Sequence, residues 1–108
     1  MLMEHENCPC METCPLNRAM ALIGGKWKMQ ILCSLYNNGP TRYNQLKKAL
    51  DGVSNTVLAN ALRELEGDGL VHRQEYLEVP VRVEYAITEP CRQLIPILDA
   101  LGDWSMAL

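Results

Sequence analysis

The chain has 108 residues and a net charge of −3, enough for one domain with a real core and too little for two independent ones. Its apolar runs fall far short of the roughly 18 residues of a membrane span, and no signal-peptide pattern opens it, so a cytoplasmic protein with no membrane partner is expected. The acidic total argues against a nucleic-acid ligand, but its distribution reverses that: residues 1–25 carry −2, residues 26–63 carry +5 and residues 64–108 carry −6.

Residues 1–13 lack periodicity and Cys8-Pro9-Cys10 disfavours a helix, which predicts an N-terminal arm ahead of one domain over residues 14–108. A first helix is predicted from Cys14 and Pro15, proline being tolerated at a first helical position, to a stop at Gly24 and Gly25. Its apolar face is Leu16, Met20 and Ile23. A second helix over residues 26–36 places Trp27, Ile31, Leu32 and Leu35 at helical spacing, and Asn37-Asn38-Gly39-Pro40 breaks it. Thr41 is the expected N-cap of a third helix over residues 42–50, with Tyr43, Leu46, Ala49 and Leu50 apolar. After the turn Asp51-Gly52-Val53, Ser54 caps a fourth helix over residues 55–67, buried through Val57, Leu58, Ala61, Leu62 and Leu65. Beyond Gly69 the period falls to two, so residues 70–76 and 81–88 read as strands joined by Leu77-Glu78-Val79-Pro80. Residues 90–108 form an amphipathic helix with Leu94, Ile97, Leu98, Leu101 and Trp104 on one side. Pro96 inside it removes a backbone hydrogen bond and bends or interrupts the helix, unless the helix begins later.

The plan is mainly α with a small β-hairpin, a winged helix-turn-helix in which one helix can enter a groove and the hairpin stands beside it. On the fourth helix the face opposite the buried stripe carries Asn55, Thr56, Ala59, Asn60 and Arg63. A face needing only solvation would usually carry Glu and Lys, whereas small residues, amides and one Arg can approach base edges. Double-stranded DNA is the expected partner, read by Ser54, Asn55, Thr56, Asn60 and Arg63. The basic middle third would supply the phosphate contacts, chiefly Arg42 and Lys47. Lys47 and Lys48 are adjacent and so on different faces, and Lys26 and Lys28 flank Trp27, where they can equally serve the start of the second helix. Arg82 behind the hairpin tip can meet a phosphate or the minor groove, or pair with Glu75 or Glu84 instead. The first and last helices have more apolar surface than a small winged domain needs, which fits a homodimer interface or packing onto their own domain.

Five cysteines in a cytoplasmic chain point to thiol chemistry or metal ligation rather than a disulfide framework. Cys14 stands at a helix N-terminus, where unpaired amides stabilise a thiolate. That makes it the candidate redox-sensing residue for an oxidant or electrophile effector, the other reading being a buried, unreactive thiol. Cys8, Cys10 and Cys14 are candidate metal ligands with His5 as a fourth, although C-x-C-x3-C departs from the paired C-x2-C units of zinc knuckles. Cys33, beside Ile31 and Leu32, reads as core. No cofactor is implied. An enzyme is disfavoured, since only His5 and His72 are present, with no paired carboxylates, phosphate loop or nucleophile motif. The remaining class is a winged small-molecule- or protein-interaction module without DNA readout.

Several short runs together carry a family resemblance: Cys14-Pro15-Leu16, Leu22-Ile23-Gly24-Gly25-Lys26-Trp27, Gly39-Pro40, Leu62-Arg63-Glu64-Leu65-Glu66, Asp68-Gly69-Leu70-Val71, Glu78-Val79-Pro80, Val83-Glu84-Tyr85 and Thr88-Glu89. Over residues 14–104 the chain resembles the HxlR-type family of bacterial winged helix-turn-helix regulators. The resemblance implies a homodimeric transcription regulator with its first and last helices at the dimer interface and its recognition helix over residues 54–67. The Cys14-Pro15 position matches one through which some members respond to oxidants, quinones or aldehydes. Glu89-Pro90-Cys91 departs from the glycine usual there, and Cys91 could offer a resolving thiol to Cys14 of a second subunit or be an inconsequential small residue. An inverted-repeat operator with half-sites about one helical turn apart follows from a two-fold dimer.

Overall fold

Pro15 sets the first turn of α1 (Pro15–Ile23), and the Gly24 N–H closes its last turn on the Met20 carbonyl at 2.6 Å. The computed structural model describes residues 14–108; the expected arm, with His5, Cys8 and Cys10, lies outside the described residues. Helix α2 (Lys28–Asn38) is shifted two residues along the chain from the prediction. Trp27 takes the N-cap position, and the helix runs on through both asparagines until Gly39, at φ 74°, ends it with its N–H on the Leu35 carbonyl. Only glycine adopts that φ without penalty, so the break lies there rather than at Asn37.

Thr41 is not an N-cap. It begins a two-residue strand, β1 (Thr41–Arg42), and its buried hydroxyl donates to the Gly39 carbonyl at 2.7 Å, so it is committed to the turn behind it. Arg42 therefore precedes α3 (Tyr43–Ala49); its guanidinium has no acceptor to cap with, and its backbone N–H donates instead to Gln45 Oε1 at 3.2 Å. Helix α4 (Asn55–Gly67) has the predicted bounds, with Ser54 Oγ accepting from the Val57 N–H at 3.1 Å. Strands β2 (Val71–Tyr76) and β3 (Arg82–Ile87) form the hairpin. Thr88 caps α5 (Glu89–Met106), which continues through Pro96 as one helix.

The hairpin is part of a three-stranded antiparallel sheet ordered β1-β3-β2, β1 being the strand that the period-two pattern was too short to announce. In register, Thr41 and Arg73 both stand opposite Tyr85, Val71 opposite Ile87, and Arg42 and Gln74 both opposite Glu84. Since successive side chains alternate, an inner face carries Thr41, Val71, Arg73, Glu75, Val83, Tyr85 and Ile87, and an outer face carries Arg42, His72, Gln74, Tyr76, Arg82, Glu84 and Ala86. Burial of Thr41, Val71 and Ile87 identifies the inner face as the one packed on the helices.

The core joins that face to α2, α3, α4 and the start of α5 through Ile31, Leu32, Leu35, Leu46, Leu58, Leu65 and Cys91. Two sequence expectations fail here for the same reason. Val57 is exposed and Cys33 is exposed, because the stripes 58/61/62/65 and 31/32/35 already fill the angular width that each helix turns inward. Lys28 ties α2 to α4: its side chain is only 14% exposed, and its ammonium lies 2.7 Å from Glu64 Oε1. The hydrogen bond and charge of Lys28 hold the Glu64 carboxyl below its usual range. That contribution is present above the unfolded glutamate pKa, about 4.3, and is lost as pH falls through the lowered folded value. Because the Glu64 carboxyl is exposed and screened by solvent, Glu64→Gln is expected to lower the melting temperature slightly at neutral pH and by nothing in strong acid; an equal deficit at both pH values would assign the loss to another cause.

Among the described residues, no helix is long and apolar enough to cross a membrane, and no group of three or more His, Cys, Asp or Glu could hold a metal ion.

Candidate nucleic-acid interface

Because α4 buries Leu58, Ala61, Leu62 and Leu65, its opposite side presents Thr56, Asn60 and Arg63 to solvent at i, i+4 and i+7. Thr56 is small, and Asn60 Oδ1 accepts from Arg63 Nη1 at 2.8 Å, which orients the guanidinium before any ligand arrives. Asn55 lies around the helix toward α3, where the Tyr43 hydroxyl sits 3.1 Å from its carbonyl and 3.2 Å from its Oδ1. Ser54 is engaged in its cap. Of the five predicted residues on this helix, three thus form an open, amide-and-guanidinium face, and two anchor its N-terminus.

The basic residues of the middle third divide sharply. Lys28 is bound to Glu64 and ties α2 to α4, and the Lys26 ammonium stands 4.8 Å above the Trp27 ring at the joint between α1 and α2. Lys47 lies one turn after Tyr43 and therefore on the side of α3 that reaches α4, while Lys48 is rotated away. Arg42 is exposed at the edge of β1 on the sheet's outer face.

Arg82 has the partner on β3 that the sequence offered, and one more. Its guanidinium is 3.0 Å from Glu84 Oε2 and 2.9 Å from Glu78 Oε2, and it stacks 4.0 Å above Tyr76. Two carboxylates around one guanidinium leave this part of the wing with no net positive charge to offer a phosphate. The wing tip itself is apolar, with Leu77, Val79 and Val81 exposed. No sequence motif marks Tyr43, Arg73 or Tyr85 as site residues; the signal lies in the strand alternation, which sets Arg73 and Tyr85 on the face with Val71 and Ile87 and Arg82 on the other.

Of the described thiols, Cys14 stands at the expected helix start, and only Cys33, read as core, departs from expectation by being exposed. Cys14 occupies the N-cap position of α1 and is buried. Cys91 is completely buried, and its thiol is pushed above its usual range mainly by that burial, so this conformation does not present it to a second subunit. Cys33 is raised as well, by partial burial of the thiol and by Asp99.

An apolar cleft of about 450 Å³ runs between α1 and α5, lined by Leu16, Met20, Ile23, Leu94, Ile97 and Leu101. Leu16, Met20, Ile97, Leu101 and Trp104 all remain exposed. Packing of the two helices onto their own domain thus leaves most of this surface in water.

A family profile for HxlR-like helix-turn-helix proteins matches residues 22–108. An uncharacterized HTH-type transcriptional regulator of Halalkalibacterium halodurans is 42% identical over 92 residues, covering 85% of this chain and 81% of the relative. Among solved structures, the redox regulator HypR in its oxidized form aligns with a TM-score of 0.80 at 37% identity, over 88% of this chain and 97% of that one. The reduced form of the transcriptional regulator YodB from B. subtilis aligns with a TM-score of 0.78 at 30% identity, over 88% of this chain and 92% of that one. The matched family and relatives are transcriptional regulators, not enzymes.

Proposed function

The chain belongs to the HxlR-like helix-turn-helix family of transcriptional regulators, and from that premise we propose that it acts as a homodimer that reads an inverted-repeat operator through two copies of α4. The observation that carries this reading is the solvent face Thr56, Asn60 and Arg63, where the one charged group is already oriented by its neighbour. Base-edge readout needs donors and acceptors held at fixed positions, and arginine matches the two acceptors of guanine. Arg42 and Lys47 add sequence-independent phosphate contacts, and Ser54 and Asn55 fix the helix start from which the readers project.

The second copy is supported by the apolar cleft between α1 and α5. A self-complementary surface of this kind closes a two-fold pair, and two-fold symmetry brings the α4 helices to successive major grooves. Binding titrations on the region upstream of the protein's own coding sequence test the reading, with a random-sequence duplex as reference. Equal affinity for every such region and for random sequence would remove operator reading.

Cys14 is the proposed point of thiol switching. Its place at the N-cap of α1, on the helix assigned to the dimer, supports a path from thiol modification to half-site spacing. The likeness to HypR, described as a redox regulator, supports the same reading. Treatment with an oxidant or an aldehyde is expected to change operator affinity of the wild type by tenfold or more, a shift of about 1.4 kcal/mol, and to leave Cys14→Ser unchanged. An identical response of both proteins would place the switch elsewhere or abolish it.

A further inference from the structure

A cleft of about 210 Å³ separates α4 from the inner face of the sheet. Its walls carry Arg63 and Glu66 from α4, Tyr43 from α3, and Arg73 and Tyr85 from the hairpin. The sheet register brings the last two together: Arg73 stands directly opposite Tyr85, on the face whose other members, Val71 and Ile87, are buried. At one end the Tyr43 hydroxyl is fixed on Asn55, where the recognition helix begins.

On the hairpin wall of this cleft, Arg73 and Tyr85 are open to a ligand, whereas Tyr43 is held by Asn55 and Arg63 is braced by Asn60. Among the described residues, Tyr85 makes no side-chain hydrogen bond, and Arg73 has only a distant ion pair with Glu75 at 3.9 Å while its side chain remains 41% exposed. Arg63, Arg73 and Glu66 give the lining a net charge of about +1, with Glu75 beside Arg73 outside it, and Arg63 on one wall faces Arg73 and the Tyr85 hydroxyl on the other, donors suited to a monoanionic oxyanion. The same guanidinium chemistry on the outer face is already consumed, since Arg82 is held by Glu78 and Glu84.

We infer that this cleft receives a DNA backbone phosphate, contacted by Arg73 and the Tyr85 hydroxyl, so that the strand passes between α4 and the inner side of the wing rather than over Arg82. The assignment rests on the DNA-binding reading above and adds the path of the backbone to it. Arg63 borders both surfaces, the open face of α4 and the cleft, so a phosphate seated here would lie beside the residue that reads the bases. Glu66, one turn further along α4, bounds the seat with negative charge. Arg82 becomes the strut that holds the wing's shape.

The test is the salt dependence of binding to a random-sequence duplex, followed by fluorescence anisotropy, because a phosphate contact shows in the slope of affinity against salt while a general loss of structure does not. Arg73→Gln is expected to reduce the magnitude of that slope by about 0.9 and the affinity at moderate salt by roughly tenfold per bound protomer. The loss should be the same on random and upstream sequence. Glu66→Gln is expected to strengthen binding several-fold, Tyr85→Phe to weaken it mildly, and Arg82→Gln to keep the wild-type slope. A wild-type slope in Arg73→Gln, or a slope loss in Arg82→Gln with a wild-type melting curve, would overturn the cleft assignment alone. Absence of salt-dependent duplex binding by the wild type would overturn the DNA-binding reading and the cleft with it.

Discussion

Leu101→Glu is expected to convert the proposed dimer to a monomer and to weaken binding to a two-half-site duplex by about 10²- to 10⁴-fold, the loss that follows when two linked contacts become independent. Leu101 is 52% exposed in the single chain and lines the α1–α5 cleft beside Leu16, Met20 and Ile97. The substitution therefore leaves the chain's own core untouched, since on this helix that core consists of Cys91 and Ile95 with Leu94 and Leu98 packed against it. In a dimer the two-fold axis would bury two carboxylates against apolar side chains, where an ionised group without a partner is disfavoured by several kcal/mol. Sedimentation equilibrium at micromolar protein, with a melting curve as control, reads the assembly directly. A folded Leu101→Glu protein that remained dimeric would move the interface away from this face, and one that became monomeric with wild-type affinity for the paired site would sever dimerisation from operator binding.

The parts of this arrangement that sequence made legible are those set by one periodic signal and a local punctuation mark. Helix α4 has its predicted bounds because Ser54 supplies a side-chain cap at one end and Gly67 precedes an Asp68-Gly69 turn at the other, with Gly69 at φ 81°. The C-terminal helix was legible in its extent but not at Pro96, which was expected to bend or interrupt it and instead lies within one continuous helix. What escaped was whatever depended on a partner distant in the chain. Strand β1 has two residues, too few for any alternation, and exists only because Tyr85 and Glu84 lie beside it. With Thr41 drawn into that strand, the cap moves to Arg42, which no capping preference would choose. Cys33 looks like core beside Ile31 and Leu32, but the packing of α2 against its neighbours leaves its residue surface open.

At the wing, the face on which a charge lies decides which partners it meets. Arg82 attracts attention because it follows the hairpin tip, yet its register partner Tyr76 and its neighbours Glu78 and Glu84 enclose it. Arg73 reads as an ordinary strand residue, yet the same alternation that buries Val71 turns it toward α4. The information was in the strand pattern, but choosing the inner face required knowing which residues the helices cover. For the thiols, chain position marks Cys14, whereas the burial of Cys91 comes from the packing of α5 on α2.

Arg63→Ala is expected to remove most of the discrimination between operator and random sequence while leaving most of the salt-dependent affinity in place. A bidentate arginine contact to a guanine discriminates by about 1–3 kcal/mol, and a dimer holds two copies, so the expected loss is about 2–6 kcal/mol, or roughly 30-fold to 10⁴-fold. Asn60→Ala should cost less on its own, because it removes the 2.8 Å brace on Arg63 and any contact of its own amide, but not the guanidinium. The two losses should not add: once Arg63 is gone, the bracing share of Asn60 has nothing left to act on, and the double mutant should fall short of the sum by the coupling of the pair. Since both side chains are exposed and outside the core, their removal should leave the melting temperature near wild type. Paired titrations on the upstream region and on random duplex separate this outcome from the phosphate effect assigned to Arg73, which lowers both affinities together. Unchanged operator affinity in Arg63→Ala and Asn60→Ala alike would refute the reading face of α4, whatever the salt slope showed.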